Sequence, residues 1–154
     1  EAIPEGKTAY VPAGTESSYV EKLRVIEVKE MKEIEDGVWS TGPLGRETKE
    51  QSMVVQGSFG YALLVGCSHP GIDFITERAQ NTFGKLKYLI GGFHQPVLSS
   101  LSQALQRVEY ASPIHCSGDR AKAYARAKLG GHYVPLRTGS IVSLDENSVL
   151  VERF

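Results

Sequence analysis

Residues 1–20 are rich in Gly, Pro, Ser and Thr and show no hydrophobic period, which predicts an extended or loop segment. Beyond it the pattern becomes legible. Leu23, Val25, Ile26 and Val28 stand among charged residues and predict a half-exposed strand over 22–29. A second strand is expected over 31–36, where Asp36-Gly37 signals a hairpin turn, and Val38-Trp39-Ser40 runs into a loop at 41–45. The apolar runs 51–56 and 61–65, split by Gly57-Ser-Phe-Gly60, read as an antiparallel hairpin.

The period then changes. Ile72, Ile75, Ala79 and Phe83 form a helical stripe, with Pro70 suited to its first turn and Gly84 to its end. A strand is expected at 88–90, a helix over 99–110 on Leu101, Leu105 and Val108, and a short strand at 113–114. An Ala-rich helix over 119–129 stops at Gly130-Gly131, and short strands at 133–136, 140–144 and 149–151 close the chain. Strands, then strand–helix units, then strands again predict an α/β (mixed α+β) layered domain with a mixed sheet.

Three of the apolar runs end in a histidine: Tyr61-Ala-Leu-Leu-Val-Gly-Cys-Ser-His69, Lys87-Tyr-Leu-Ile-Gly-Gly-Phe-His94 and Ala111-Ser-Pro-Ile-His115. The histidines stand 25 and 21 residues apart (69 to 94, 94 to 115), about one strand–helix–strand step. Successive parallel strands point the same way, so the three imidazoles are expected at one carboxyl edge, where open α/β sheets bind ligands. Imidazole is the commonest protein metal ligand and also a proton donor near neutral pH.

Small residues around His69 permit a sharp bend at the strand end, which fits a ligand on a strand-to-helix turn. An isolated histidine there would more simply cap the helix or bond a carbonyl, but the recurrence of the arrangement at His115 favours the ligand. Ser117 or Asp119 is expected to cap the helix that follows His115, whose first amides also suit an anion. His94, after Gly91-Gly92-Phe93, fits either a ligand or a proton donor, whereas His132 has no strand–helix context and reads as a surface residue. Cys67 can offer a thiolate to zinc, and a Cys–His nucleophile pair is the alternative. Both cysteines, Cys67 and Cys116, equally suit small buried positions at strand ends. Glu50 can supply a carboxylate, against the commoner exposed glutamate of a loop. No phosphate-binding loop, dinucleotide fingerprint or kinase signature occurs, and Gly66-Cys-Ser-His-Pro70 does not complete a Gly-x-Ser-x-Gly elbow.

Composition narrows the classes further. The 154 residues are 23% charged and 41% hydrophobic, an ordinary globular balance. A formal net charge of −1 gives no general attraction to nucleic acid or anionic membrane, and no run is long and apolar enough to span a bilayer. The start, Glu1-Ala-Ile-Pro, has neither an initiator Met nor the features of a signal peptide. Reduced thiols in a cytoplasmic protein, processed or part of a longer chain, are therefore expected.

Thr41-Gly42, Glu50-Gln-Ser-Met-Val-Val55, Leu64-Val-Gly-Cys-Ser-His-Pro-Gly-Ile72, Ile90-Gly-Gly-Phe-His94 and Ile114-His-Cys-Ser-Gly118 occur in this order. Together they resemble the C-terminal half of the metallo-β-lactamase-fold superfamily. The similarity is greatest to its β-lactamase superfamily II metal-dependent hydrolases, a subgroup that includes a dihydropterin ribofuranosylaminobenzene phosphate synthase. The resemblance runs from about Leu23 onward. It implies half of an αββα sandwich over residues 21–154, with residues 1–20 as an extended N-terminal segment. It implies a divalent metal, zinc first and iron or manganese as alternatives, with His69 and His115 as ligands, His94 in proton transfer or as a further ligand, and Cys67 near a bridging position. The implied activity of the parent protein is hydrolysis, or the related pterin phosphate synthesis, on a small molecule, a phosphate ester among the candidates.

The superfamily's His-x-His-x-Asp-His segment is absent, since His69, His94, His115 and His132 are the four histidines of the chain. The expectation is therefore a fragment or one half of an assembled protein, inactive alone. Its bare sheet face would call for the missing N-terminal half or a second copy of the chain. A metal-free interaction or dimerisation module derived from the same fold is the reading from another class.

Overall fold

The computed structural model describes residues 5–15 and 22–153, so parts of the predicted N-terminal segment lie outside the described residues. Six strands form the central sheet: β3 (Lys32–Glu35), β4 (Val38–Ser40), β5 (Met53–Gly57), β6 (Gly60–Val65), β7 (Leu86–Gly92) and β8 (Val108–Ile114), in that spatial order. β3 to β6 form an antiparallel meander, and β6, β7 and β8 run parallel. The change follows from the connections. Two-residue turns such as Asp36-Gly37 and Ser58-Phe59 can only reverse the chain, whereas a parallel neighbour needs a crossover long enough to hold a helix. α1 (Ile72–Phe83) and α2 (Leu98–Gln106) supply those crossovers, and α3 (Gly118–Leu129) follows β8.

The side-chain period of two assigns the two faces of the sheet. Leu63 of β6 and Leu89 of β7 point toward the helices, into a core with Ile72, Ile75 and Ala79 of α1, Leu101 and Leu105 of α2, and Ala121 and Ala125 of α3. Ala62, Leu64, Tyr88 and Ile90, on alternate positions, point to the other face. That face is not left bare by this chain. A terminal hairpin of β9 (Ser140–Leu144) and β10 (Val149–Arg153) brings Val142, Leu144, Val149 and Val151 against it, with Val134 and Leu136 of the preceding loop. The successive apolar residues of β6 and β7 thus do mean burial on both faces, as in any central parallel strand. Lys87 sits in that strand only 8% exposed, and its ammonium is satisfied by Glu109 and the carbonyl of Glu146, each at 3.0 Å. The second bond ties the hairpin tip to the sheet.

Several element boundaries depart from the sequence pattern. Val108 to Tyr110 lie in β8 and not in the preceding helix, which ends at Gln106. The spacing Leu101, Leu105, Val108 continues a helical stripe on paper, but Val108 pairs with Leu86 and buries its side chain in the sheet. α1 starts at Ile72 with Gly71 at its cap, so Pro70 belongs to the turn before it. Residues 133–136 form no strand and contribute a single bridge, Tyr133 to Ala111. Within the N-terminal segment, β1 (Thr8–Pro12) pairs in parallel with β2 (Arg24–Val28), and Gln51 Nε2 donates to the Tyr10 carbonyl at 2.7 Å, joining β1 to the sheet's flank. Among the described residues no helix is long and apolar enough to cross a membrane.

Candidate metal centre

β6, β7 and β8 end side by side, and each carboxyl end bends at once into a loop that carries chemistry. Four non-glycine residues have positive φ among the described residues: Ser68 (63°), His94 (47°), Gln95 (45°) and His115 (49°). All four lie in these three loops. Left-handed backbone costs a residue with a Cβ on the order of 1–3 kcal/mol, and such strain persists only where the surroundings impose it.

The imposing contacts are visible. The buried Ser68 hydroxyl donates to the Gly92 carbonyl at 2.7 Å, and the Gly92 amide donates to Gly66 at 2.8 Å, stitching the first loop to β7. The Ser117 hydroxyl donates to the Ile114 carbonyl at 2.6 Å and accepts the Phe93 amide at 3.1 Å, which closes a single 3₁₀ turn over His115–Ser117. Ser117 is thus committed to the turn and makes no side-chain cap on α3, contrary to the sequence expectation; Asp119 is helical, in the first turn. Gly92 leaves the space that these loops fill. A Cβ there would lie 2.6 Å from the Gly66 oxygen, 2.7 Å from Cys116 Sγ and 3.2 Å from His115 Cδ2.

The loops bring two groups of donors together. In the first, the His69 and His94 rings lie 4.4 Å apart between centroids. Glu50 holds the His69 loop: its carboxylate accepts the His69 amide at 2.7 Å and the Cys67 amide at 3.2 Å, and contacts His69 Nδ1 at 3.0 Å. A paired backbone bridge between Leu44 and Glu50, at 2.8 and 3.0 Å, delivers that carboxylate. A histidine tethered through Nδ1 presents Nε2 outward in a fixed orientation, as metal-ligating histidines do. In the second group, one donor atom each from Cys67, His115 and Cys116 lie within 4.8 Å of one another. The His94 amide points at Cys116 Sγ from 3.3 Å. The Cys67 thiol is pushed above its ordinary range, first by its hydrogen bond to Cys116, then by burial and the neighbouring charges of Cys116 and Glu50.

The three strand-end histidines therefore share one edge, with Cys67 among them, while His132 stands apart, exposed and stacked 4.5 Å from the Tyr110 ring. Cys116 is the residue that the sequence reading undervalued. Its signal was its position next to His115, but consecutive side chains face the same way only where the chain leaves the extended conformation, as in the 3₁₀ turn here. Glu50 carried no local signal, because its partner lies 19 residues on. Two open clefts flank the edge. One, of about 520 Å³, has His69, Phe74 and Arg46 on its walls; the other, of about 540 Å³, has His115, Lys122, Arg137 and Tyr133.

No protein-family model and no curated protein matches the chain. Among solved structures it is similar to the crystal structure of Tm1679, a metal-dependent hydrolase of the β-lactamase superfamily, with a TM-score of 0.75. The match covers 96% of this chain and 72% of that chain, at 20% sequence identity. The fold is that of the metallo-β-lactamases.

Proposed function

We propose that this chain supplies the carboxyl-edge half of a metal-dependent hydrolase centre. His69, His115 and Cys67 supply the metal donors of that edge, and His94 serves as the proton-transfer group. The observation that carries the reading is that these residues stand together at one sheet edge, in the three loops that hold all the left-handed non-glycine residues among the described residues. The donor chemistry fits a divalent metal: imidazole and thiolate suit zinc, and the pinned His69 suits zinc, iron or manganese. Such an ion supplies Lewis acidity, polarising an ester or phosphoryl oxygen and acidifying water near neutral pH.

The chain's own residues divide the remaining work. Glu50 orients His69 and, through the Cys67 amide, the whole strand-to-helix turn. His94 is exposed, makes no side-chain hydrogen bond among the described residues, and stands beside His69, which suits it to give a proton to a leaving oxygen. Lys122 and Arg137 flank His115 in the larger cleft and favour an anionic small molecule, a phosphate ester in this reading. The His-x-His-x-Asp-His donors of the superfamily are absent from the sequence. The chain alone is therefore expected to turn over little, and a polypeptide carrying that half of the fold is its expected partner.

The test is phosphodiester and ester turnover with zinc, manganese or ferrous iron, for the chain alone and mixed with such a polypeptide. Turnover restored only in the mixture, and lost with His69→Ala, supports the reading. No turnover and no bound metal in either sample would instead leave the metal-free interaction module, which the missing motif favours. Full turnover by the chain alone, abolished by His69→Ala, would show that the apparatus is complete without a partner.

A further inference from the structure

We propose that Cys67, Cys116 and His115 form a sulfur-rich mononuclear zinc site with one open position, built entirely from this chain. The proposal rests on the reading of this edge as metal-binding and deepens it: Cys67 and His115 share their ion with Cys116, while His69 belongs to the neighbouring group with His94.

Geometry is the first argument. Zinc bonds of about 2.3 Å to sulfur and 2.0–2.1 Å to nitrogen place tetrahedral donors roughly 3.5–3.8 Å apart. The three donor atoms already lie within 4.8 Å of one another, so rotamer adjustments of about an ångström close the set around an ion. The second argument is the backbone. Consecutive residues normally point to opposite sides, and His115 and Cys116 would do so if β8 simply continued. The chain instead leaves the extended conformation for a 3₁₀ turn over His115–Ser117, and both donors come within reach of Cys67. Ser68, at φ 63°, separates Cys67 from His69 in the other loop, so those two donors serve different groups.

The surroundings fit a thiolate. The His94 amide is aimed at Cys116 Sγ from 3.3 Å, an outer hydrogen bond of the kind that stabilises a metal-bound sulfur. Gly92 beneath the cluster lacks the Cβ that would collide with Cys116 Sγ and crowd the His115 ring. Two thiolates and one imidazole leave a fourth tetrahedral position free, the pattern of a catalytic rather than a structural zinc. Soft sulfur donors also select zinc over manganese. His69 and His94 remain beside this site, free to act on whatever occupies the open position.

Anaerobic titration of the reduced, metal-free full chain with Co²⁺ tests the assignment. One equivalent is expected to bind with intense near-ultraviolet thiolate-to-cobalt absorption, to be displaced by Zn²⁺, and to protect two thiols from a disulfide reagent. Cys67→Ser and Cys116→Ser should each weaken binding by more than the roughly 10–100-fold that loss of an outer hydrogen bond costs. His69→Ala and His94→Ala should keep the thiolate absorption, with circular dichroism confirming that every variant is folded. Retention of affinity and absorption in folded Cys116→Ser, or their loss in His69→Ala, would overturn the site while leaving the hydrolase reading standing. Absence of metal binding by the chain alone would overturn the site, and the hydrolase reading would fall with it only if the mixture with the partner polypeptide also binds none.

Discussion

The loop after β7 and the turn between β5 and β6 both need backbone with positive φ, and they meet the need with different residues. The turn uses Gly60 at φ 99°, where a Cβ would have nothing within 4 Å. The loop uses His94 and Gln95 at 47° and 45°, residues that resist the conformation. The same division runs through the described residues. Glycine alone takes positive φ in the β3–β4 turn and after α1 and α3, whereas at the carboxyl edge Ser68, His94, Gln95 and His115 take it beside Gly71, Gly91 and Gly118. Glycine would relieve the strain at those four positions, but it would remove the imidazoles of His94 and His115 and the Ser68 hydroxyl that anchors its loop. The edge is thus built for the placement of side chains at some cost in stability, and the other turns are built for chain reversal alone.

The largest effect expected from breaking this arrangement is at Gly92. Gly92→Ala places a methyl group 2.6 Å from a backbone oxygen and 2.7 Å from Cys116 Sγ, and β7, paired on both sides with β6 and β8, has little room to yield. Overpacking of this kind costs about 1–3 kcal/mol. Urea unfolding should show that loss together with disappearance of thiolate-to-cobalt absorption; an unchanged midpoint with intact absorption would show that the loops are not tightly stitched.

A paired substitution sharpens the comparison. Gln95→Gly relieves left-handed strain of about 1–2 kcal/mol and adds roughly 0.5–1 kcal/mol of unfolded-chain entropy, so the protein should become more stable, by up to about 1.5 kcal/mol. Gly60→Ala meets no atom but must adopt the same class of conformation, so it should become less stable by about 1–2 kcal/mol. Opposite signs in thermal unfolding are the expected result. A destabilised Gln95→Gly would mean that the glutamine side chain supports the loop.

The smallest effect concerns a third way of holding a turn. At the tip of the β9–β10 hairpin the Asp145 carboxylate accepts the amides of Asn147 at 2.7 Å and Ser148 at 2.6 Å, and the Ser148 hydroxyl at 2.6 Å. Those bonds, the Ser148 hydroxyl first, hold its pKa below the ordinary 3.8. A depressed folded value means that the contribution is fully present above the unfolded value and is lost as pH falls through the folded one. Hydrogen exchange in β9 and β10 should therefore accelerate relative to the central strands below pH about 3.8 and not in Asp145→Asn, whose exchange should be fast already. Equal acceleration in the central strands would show that the tip does not act locally.

The sequence by itself determined the local elements and the edge. Period-two runs, period-3.6 stripes and turn dipeptides depend on near neighbours, so the hairpins, α1, α3 and the parallel step of β6–β8 were legible. So was the alignment of His69, His94 and His115, because parallel strands of similar length end together. Tertiary structure alone decided what faces what. Val108 left a helical stripe for a strand because Leu86 offered a pairing partner. The second face of the sheet was covered by β9 and β10, which reach it from the far end of the chain. Glu50 meets His69 where the Leu44–Glu50 bridge delivers it, and Cys116 reaches Cys67 through the 3₁₀ turn over His115–Ser117. Such contacts join residues tens of positions apart through backbone states that local sequence disfavours. They exist only once the packed sheet imposes them.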